Sequence, residues 1–564
     1  MSVKKLILKE EKVNFKAKKY HFLLLMMSSF FLVNVNQNIV RSETLSPQNY
    51  HITVNSNLDG EITPDEYLTL REAIALINNT LTTEELSELE RSQVQTLPHN
   101  QPSHIEFNLN DGENIIILQS LLPPLANAVT IDGSSNQGYN PDIFPLDGKN
   151  IPQPVVTITS APDNPIFRGL TVSASDITIR GFNIYGFRAN NQVNQRLNLV
   201  TPPGNIVITH QISPANFSQE LSNYERTRRN RIDATFQDPL GYSYDDEDRI
   251  PSENILIENN WIGFNPHQQL NSVNSAFGVY IFNGNNTRVE NNYITNHLGS
   301  GIITGKNAKN SLIINNLITD NGRQGVADAI RLEGNIANAQ ISNNLITNNQ
   351  GSGIYLFKTK GSILIEDNEI KENGLREKRG AVYLMGNNHH LENNLISNHN
   401  GPGVVVTAYP QSIGNVMVNN RFRNIDGLSI DLVTRNQTGI QDYQKGDGIN
   451  PRRNSKHRRQ DTANGAINAP EFLAPYFYKM GDMTAIDGIA DPFSVITLYR
   501  VDEEGLHGPL SQPIGETTAD EEGRFQVSLP LEVGQVISAI ALIPDYGTSE
   551  PAQNAVIKEL DLEF

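Results

Sequence analysis

The chain has 564 residues, 38% hydrophobic and 19% charged, with no cysteine and a formal charge of −18. This composition excludes a disordered chain, a disulfide framework and thiol chemistry, and the acidity argues against DNA or RNA as a partner, because nucleic-acid binders carry a basic face. The length leaves room for two or three structural units.

Residues 1–42 read as a signal peptide. Lys4, Lys5, Lys9, Lys12, Lys16, Lys18 and Lys19 form a basic region, and Phe22–Val33 is a mostly apolar run, short for a membrane span. Val40 and Ser42 are small residues spaced for cleavage after Ser42, the alternative being an uncleaved anchor. Without this segment, which carries +6, the remainder carries −24, a balance that favours solubility and cations over anionic surfaces. No later stretch is long and apolar enough for a membrane helix. The expected location is secreted or cell-surface.

Residues 43–128 form an N-terminal cap region. Residues 67–78 have helical spacing, with Leu70, Ile74 and Ile77 on one face, and 81–93 read as a second short helix from their Glu and Leu content. Ahead of them, Asn55, Asn57, Asp59 and Glu66 have the ligand spacing of a twelve-residue calcium loop, with Gly60 at the turn and Ile62 at the apolar position. Asn at the first position lowers the charge, and His51–Val54 reads as a strand instead of an entering helix. The plainer reading is an Asn/Asp turn before a helix.

Residues 129–436 are organised by a repeat, interrupted at about 188–252. An apolar-x-Asn/Asp-Asn-x-apolar unit occurs at Ile257–Ile262, Val289–Ile294, Ile313–Ile318, Ile341–Ile346, Ile365–Ile370, Leu391–Ile396 and Met417–Phe422, in steps of 24 to 32 residues. A Gly-led second strand follows most copies, as at Gly278–Ile281, Gly353–Leu356 and Gly403–Val406. One such repeat cannot close a core, but stacked repeats bury Ile on Ile. The second Asn of each unit falls at Asn260, Asn292, Asn316, Asn344, Asn368, Asn394 and Asn420. An amide both donates and accepts, so identical amides at the strand spacing can bond coil to coil. That column is read as structural. The 188–252 interruption holds a basic cluster, Arg226, Arg228, Arg229 and Arg231, and an acidic run, Asp245–Asp248, and reads as a long loop.

Residues 437–468 read as a polar exit loop, and 469–564 as a small β-sandwich-like domain with strands at Ile486–Ile489, Val495–Arg500, Gly523–Leu529, Val536–Ile543 and Ala555–Leu560. The fold class expected is all-β: a parallel β-helix with an N-terminal helical cap and a C-terminal sandwich-like module.

These repeats resemble those of the right-handed parallel β-helix, the pectin-lyase-like fold. Leu68-Thr69-Leu70-Arg71-Glu72-Ala73-Ile74 is similar to the CSLREA-type motif of a group of exported bacterial β-helix proteins, with Leu68 where that group has Cys. Thr130-Ile131-Asp132-Gly133, Gln137-Gly138-Tyr139 and Asn260-Trp261-Ile262-Gly263 look like the same group, and the likeness covers roughly residues 50 to 555. It implies fold and export, and no single activity, since β-helices serve as lyases, hydrolases, adhesins and scaffolds.

Aligning the second strands gives one outward column, Tyr280, Ile303, Arg331, Tyr355, Tyr383, Val405 and Asp431. At about 4.8 Å per coil it spans roughly 29 Å, several sugar units long. Tyr rings suit stacking on sugars, so Tyr280, Arg331, Tyr355, Tyr383 and Asp431 are the candidate glycan-binding residues, against ordinary sheet surface, where Tyr is favoured anyway. The function expected is that of a secreted or cell-surface protein that binds glycan or serves as an adhesive or structural element; the alternative is a polysaccharide lyase or glycoside hydrolase acting in a groove along the β-helix. Arg331 is the candidate base of a lyase, with Asp328 just before its strand and Glu333 following it, but Asp431 lies four coils from Asp328, and no tight carboxylate cluster or Ser-His-Asp arrangement is legible. His389 and His390 read as turn residues.

Overall fold

The computed structural model describes residues 48–560 except 111, 113, 147, 164–165, 189–202, 211–249, 267–273, 409–410, 435–443, 454, 458–460 and 503–504. The expected signal peptide and most of the 188–252 interruption, with its basic and acidic clusters, lie outside the described residues.

The repeats wind into a parallel β-helix of three sheets. The first runs from Asn49–Val54 to Val416–Val418, the second from Ile115–Leu118 to Arg421–Ile425, and the third from Arg168–Val172 to Ile430–Leu432. One coil takes a strand from each, as in Leu312–Ile314, Leu317–Thr319 and Ile330–Asn335. Successive coils pair in parallel, so equivalent residues stack. On the first sheet the inward column is Ile257, Val289, Ile313, Ile341, Ile365, Leu391 and Met417. On the third it is Val279, Ile302, Ile330, Ile354, Val382, Val404 and Ile430. All are buried, and each contributes about 1.5–3 kcal/mol by leaving water.

Two corners use the same two-residue device. Between the first and second sheets, Asn259, Asn291, Asn315, Asn343, Asp367, Asn393 and Asn419 take positive φ of 54° to 58°, a left-handed conformation that Asn and Asp tolerate best after glycine. The next residue turns inward and forms the expected amide column. Nδ2 of Asn292 donates to Oδ1 of Asn316 at 3.1 Å, and the contact repeats from Asn260 through to Asn420. Each Oδ1 also accepts from the backbone N–H of the preceding coil, and Nδ2 donates again to a main-chain carbonyl, so the buried amides are satisfied.

The corner between the second and third sheets repeats this with Asn296, Asp320, Asn348, Glu372 and Asn398 at positive φ. The inward residues there are His297, Asn321, Asn349, Asn373 and His399, all 2% exposed or less.

Both ends of the stack are covered. Helix Leu70–Ile77 opens with a capping box in which Thr69 and Glu72 exchange bonds, and all its residues are buried. At the other end Asn464 continues a further amide column, accepting from Asn415 at 3.2 Å and donating to the Thr548 carbonyl at 2.9 Å. Thr548 and Glu550 in turn bond the backbone of Met417 and Leu432, so the last strands of the first and third sheets are covered there.

The C-terminal module is a nine-stranded sheet. Beyond the five expected strands it has Glu471–Phe472, Tyr476–Met480, Leu510–Thr518 and Gly547–Thr548. Pairing is antiparallel except for Tyr476–Met480 beside Ala555–Glu559.

Candidate functional site

The third-sheet column has the register expected of it: Tyr280, Ile303, Arg331, Tyr355, Tyr383, Val405 and Asp431 are consecutive partners. The column faces away from the helix interior, yet much of it is not open. Tyr355 and Tyr383 are each 2% exposed, which corrects the expectation of free ring faces. The two rings stack on each other at 4.6 Å and 9°. Arg331 lies 4.8 Å over Tyr355 and 4.9 Å over Phe357, and Arg379 lies over Tyr355 from the next turn. The stacked tyrosines are a platform that fixes two guanidinium groups. Tyr280, Arg331, Glu333 and Phe357 are half-buried and form its accessible rim.

Asp328 is fully buried beside the column. Its carboxylate meets Arg331 at 3.3 Å and Arg379 at 3.4 Å and accepts from the Ser352 N–H at 3.2 Å. Burial pushes its carboxyl above the usual range and the two arginines pull it back. Arg331 also holds Glu333 at 2.5 Å.

The cover comes from the exit segment after residue 443. Gln444 donates to the Tyr355 hydroxyl at 2.8 Å and accepts at its carbonyl from the Gly380 N–H. The N–H groups of Asp447 and Gly448 donate to Asp431 at 3.1 and 3.0 Å. Asp431 is pushed well above the usual carboxylate range by burial and then by Glu550. It therefore anchors the exit segment and stands apart from Asp328.

The calcium candidates have other partners. Asp59 binds Arg71 through both oxygens at 2.7 and 2.9 Å, and Arg71 also donates to the carbonyls of Ser120 and Leu121. Asn55 accepts from the Leu68 N–H, and Asn57 donates to the Ile115 carbonyl. Glu66 is exposed. The segment is a turn that seats the capping helix, and among the described residues no group of three His, Cys, Asp or Glu side chains is placed to hold a metal ion.

Sequence reasoning missed a second cluster, on the outer face of the first sheet. Asp132, Arg180 and Glu258 are register neighbours, with Arg180 2.6 Å from Asp132 and 3.7 Å from Glu258. Burial raises Asp132, but the bonds from Arg180 and Ser134 outweigh it and hold the carboxyl low; burial holds Glu258 high. Both carboxylates converge on one arginine, an arrangement that ties three coils together. Carrying the coil alignment back to Val129–Asp132, which lacks the Asn unit, was the signal that would have found it.

A model of the right-handed β-helix region matches residues 241–389 and 339–442. The coiled region has the right-handed parallel β-helix fold. Among solved structures it is similar to ORF18 of Geobacillus virus E2, with 12% identity and a TM-score of 0.40 over 83% of this chain and 76% of that one. It is similar also to the enzymatically active domain of tailspike protein 2 of bacteriophage CBA120 (9%, 0.35, 80% and 72%) and to pectate lyase Pel9A (11%, 0.27, 72% and 91%). No curated protein matches the sequence.

Proposed function

We propose that this β-helix is exported, and that at the cell surface or outside it binds polysaccharide along the third sheet without cleaving it. The observation that supports this reading is the unbroken outward register from Tyr280 to Asp431, roughly 29 Å long at 4.8 Å per coil. Arg331 is the working group. Its planar fork suits paired hydroxyls or a uronate carboxylate, and the Tyr355–Tyr383 pair holds it in place. Binding is favoured over cleavage because Asp328 and Asp431 are buried and bonded internally and the half-buried Glu333 is held by Arg331, whereas hydrolysis of a glycosidic bond uses two carboxyls within reach of it.

The test is a glycan panel on the purified protein, with each bound glycan then checked for product release. Retention without new ends, lost in Arg331→Ala, is the expected result. Unsaturated ends would make it a lyase and new reducing ends a hydrolase, and either would overturn the non-cleaving reading.

A further inference from the structure

The exit segment has two faces. One lies on the third-sheet strip, where Gln444 donates to Tyr355 and the N–H groups of Asp447 and Gly448 donate to Asp431. The other borders a trough between the last coils and the C-terminal sheet. Two adjoining cavities there, of about 450 and 350 Å³, share Ile449 and His507 as walls. Volumes of this size suit small molecules, and such sites favour the junction between two structural units.

The walls are held from behind. Asn450 donates to Glu550 through its backbone N–H at 2.9 Å and its Nδ2 at 2.5 Å, and Asn468 donates to Asp491 at 2.7 Å while accepting from the Arg453 N–H. Asn554 donates its N–H to the Leu506 carbonyl and its Nδ2 to the Gly505 carbonyl. Its Oδ1 is buried without a hydrogen-bond partner, a deficit that a donor seated in the trough would relieve. Neither sign of charge prevails. The exposed cations are Lys445 and Arg452 and the exposed anions Asp426 and Glu471, with Arg452 paired to Glu471 and Asp426 to Lys378. Burial lowers His507, so its ring adds no charge at neutral pH. The remaining surface is largely apolar: Pro402, Pro470, Pro509 and Pro551 are buried in the walls, and Ile449 and Leu473 are 53% and 63% exposed.

We propose that this trough is a second binding site, which takes a neutral mono- or disaccharide. Carboxamides and sugar hydroxyls each donate and accept, so they match without a charge on either side, and the C–H face of a sugar ring leaves water against proline and leucine surface. A phosphate or a polyanion would meet no excess of positive charge here. The site goes beyond the third-sheet reading and does not depend on it, since Tyr280, Arg331 and Tyr355 are not among its walls.

The measurement is saturation-transfer NMR on the purified protein, followed by calorimetry, with neutral mono- and disaccharides and the matching uronates as probes. The native chain is compared with Ile449→Trp, which places an indole on the wall shared by both cavities, and with Arg331→Ala. Leu473→Trp, on the wall of the smaller cavity, repeats the test with a second plug. At least one neutral sugar is expected to bind saturably, about tenfold or more weakly in Ile449→Trp, and unchanged in Arg331→Ala. Absence of binding by the native chain, or equal binding in both tryptophan variants, would overturn the site. Loss in Arg331→Ala would place the sugar on the third-sheet strip and overturn it equally, and tighter binding of the uronates would overturn the ligand class. Polysaccharide retained through Arg331 with no small sugar in the trough would leave the proposed function standing alone; a small sugar in the trough with no polysaccharide retained would do the reverse.

Discussion

The two inner corners of this β-helix share one backbone device and differ in chemistry. Each places a left-handed residue before an inward polar one. The first corner fills that inward position with asparagine in every coil from Asn260 to Asn420. The second has asparagine only at Asn321, Asn349 and Asn373, with His297 at one end and His399 at the other. His297 splices into its column, bonding Oδ1 of Asn321 at 2.7 Å through Nδ1 and the Asn205 amide at 3.1 Å through Nε2. An amide has no charge state to change between pH 4 and 7, whereas an imidazole does. Identical geometry therefore gives one corner that is indifferent to acid and one that responds to it.

The largest effect separating the two corners is acid destabilisation. Burial holds His297 and His399 near 4 in the folded chain, from an ordinary value of 6.5. The unfolded chain then binds more protons, so stability is complete above about 6.5, falls as pH drops toward 4, and loses nothing more from these groups below that. Each histidine accounts for on the order of 3 kcal/mol. His297→Asn should flatten a plot of denaturant midpoint against pH, while a substitution in the first corner should shift the whole plot without changing its slope.

Next comes the amide itself. Asn344→Ala and Asn349→Ala each remove a buried side chain that accepts from one coil and donates to the next. Each should cost about 3 kcal/mol, since several buried partners lose their bonds. Equal losses in urea unfolding would show that the two columns bear equally on the helix; a loss under about 1 kcal/mol at either would end the equivalence. The smallest effect runs the other way. Glu372 holds φ of 55° where other coils use Asn or Asp. Glu372→Asn should stabilise by roughly 0.5 kcal/mol, read as a small rise in Tm.

Much of this fold was legible in the chain. The Asn unit recurs at the coil length, and it located seven consecutive coils and the amide column, because a polar residue that returns at one fixed place between apolar neighbours must find its hydrogen bonds in the copies of itself above and below. The second column was harder to see. It lies three residues beyond each second-sheet Ile, and its histidines break the letter pattern while keeping the geometry. The outward register from Tyr280 to Asp431 was also readable, but its burial was not. The cover is Gln444 and Asp447–Gly448, which are 89 residues beyond Tyr355 and 16 and 17 beyond Asp431, and no local rule connects such distances. In the segment 55–66 the ligand spacing was legible, but not the partner of Asp59: Arg71, twelve residues away, binds both its oxygens.

Binding along the third sheet is tested most directly by a calorimetric comparison of Arg331→Ala and Arg180→Ala against a glycan bound by the native protein. Both remove an arginine from an outer sheet face and an ion pair with it. A loss of affinity of about tenfold or more is expected for Arg331→Ala, from the roughly 1.4 kcal/mol or more that a charge-assisted contact supplies, with affinity unchanged in Arg180→Ala. Equal affinity in Arg331→Ala, or a loss confined to Arg180→Ala, would contradict this and move the binding surface from the third sheet to the first.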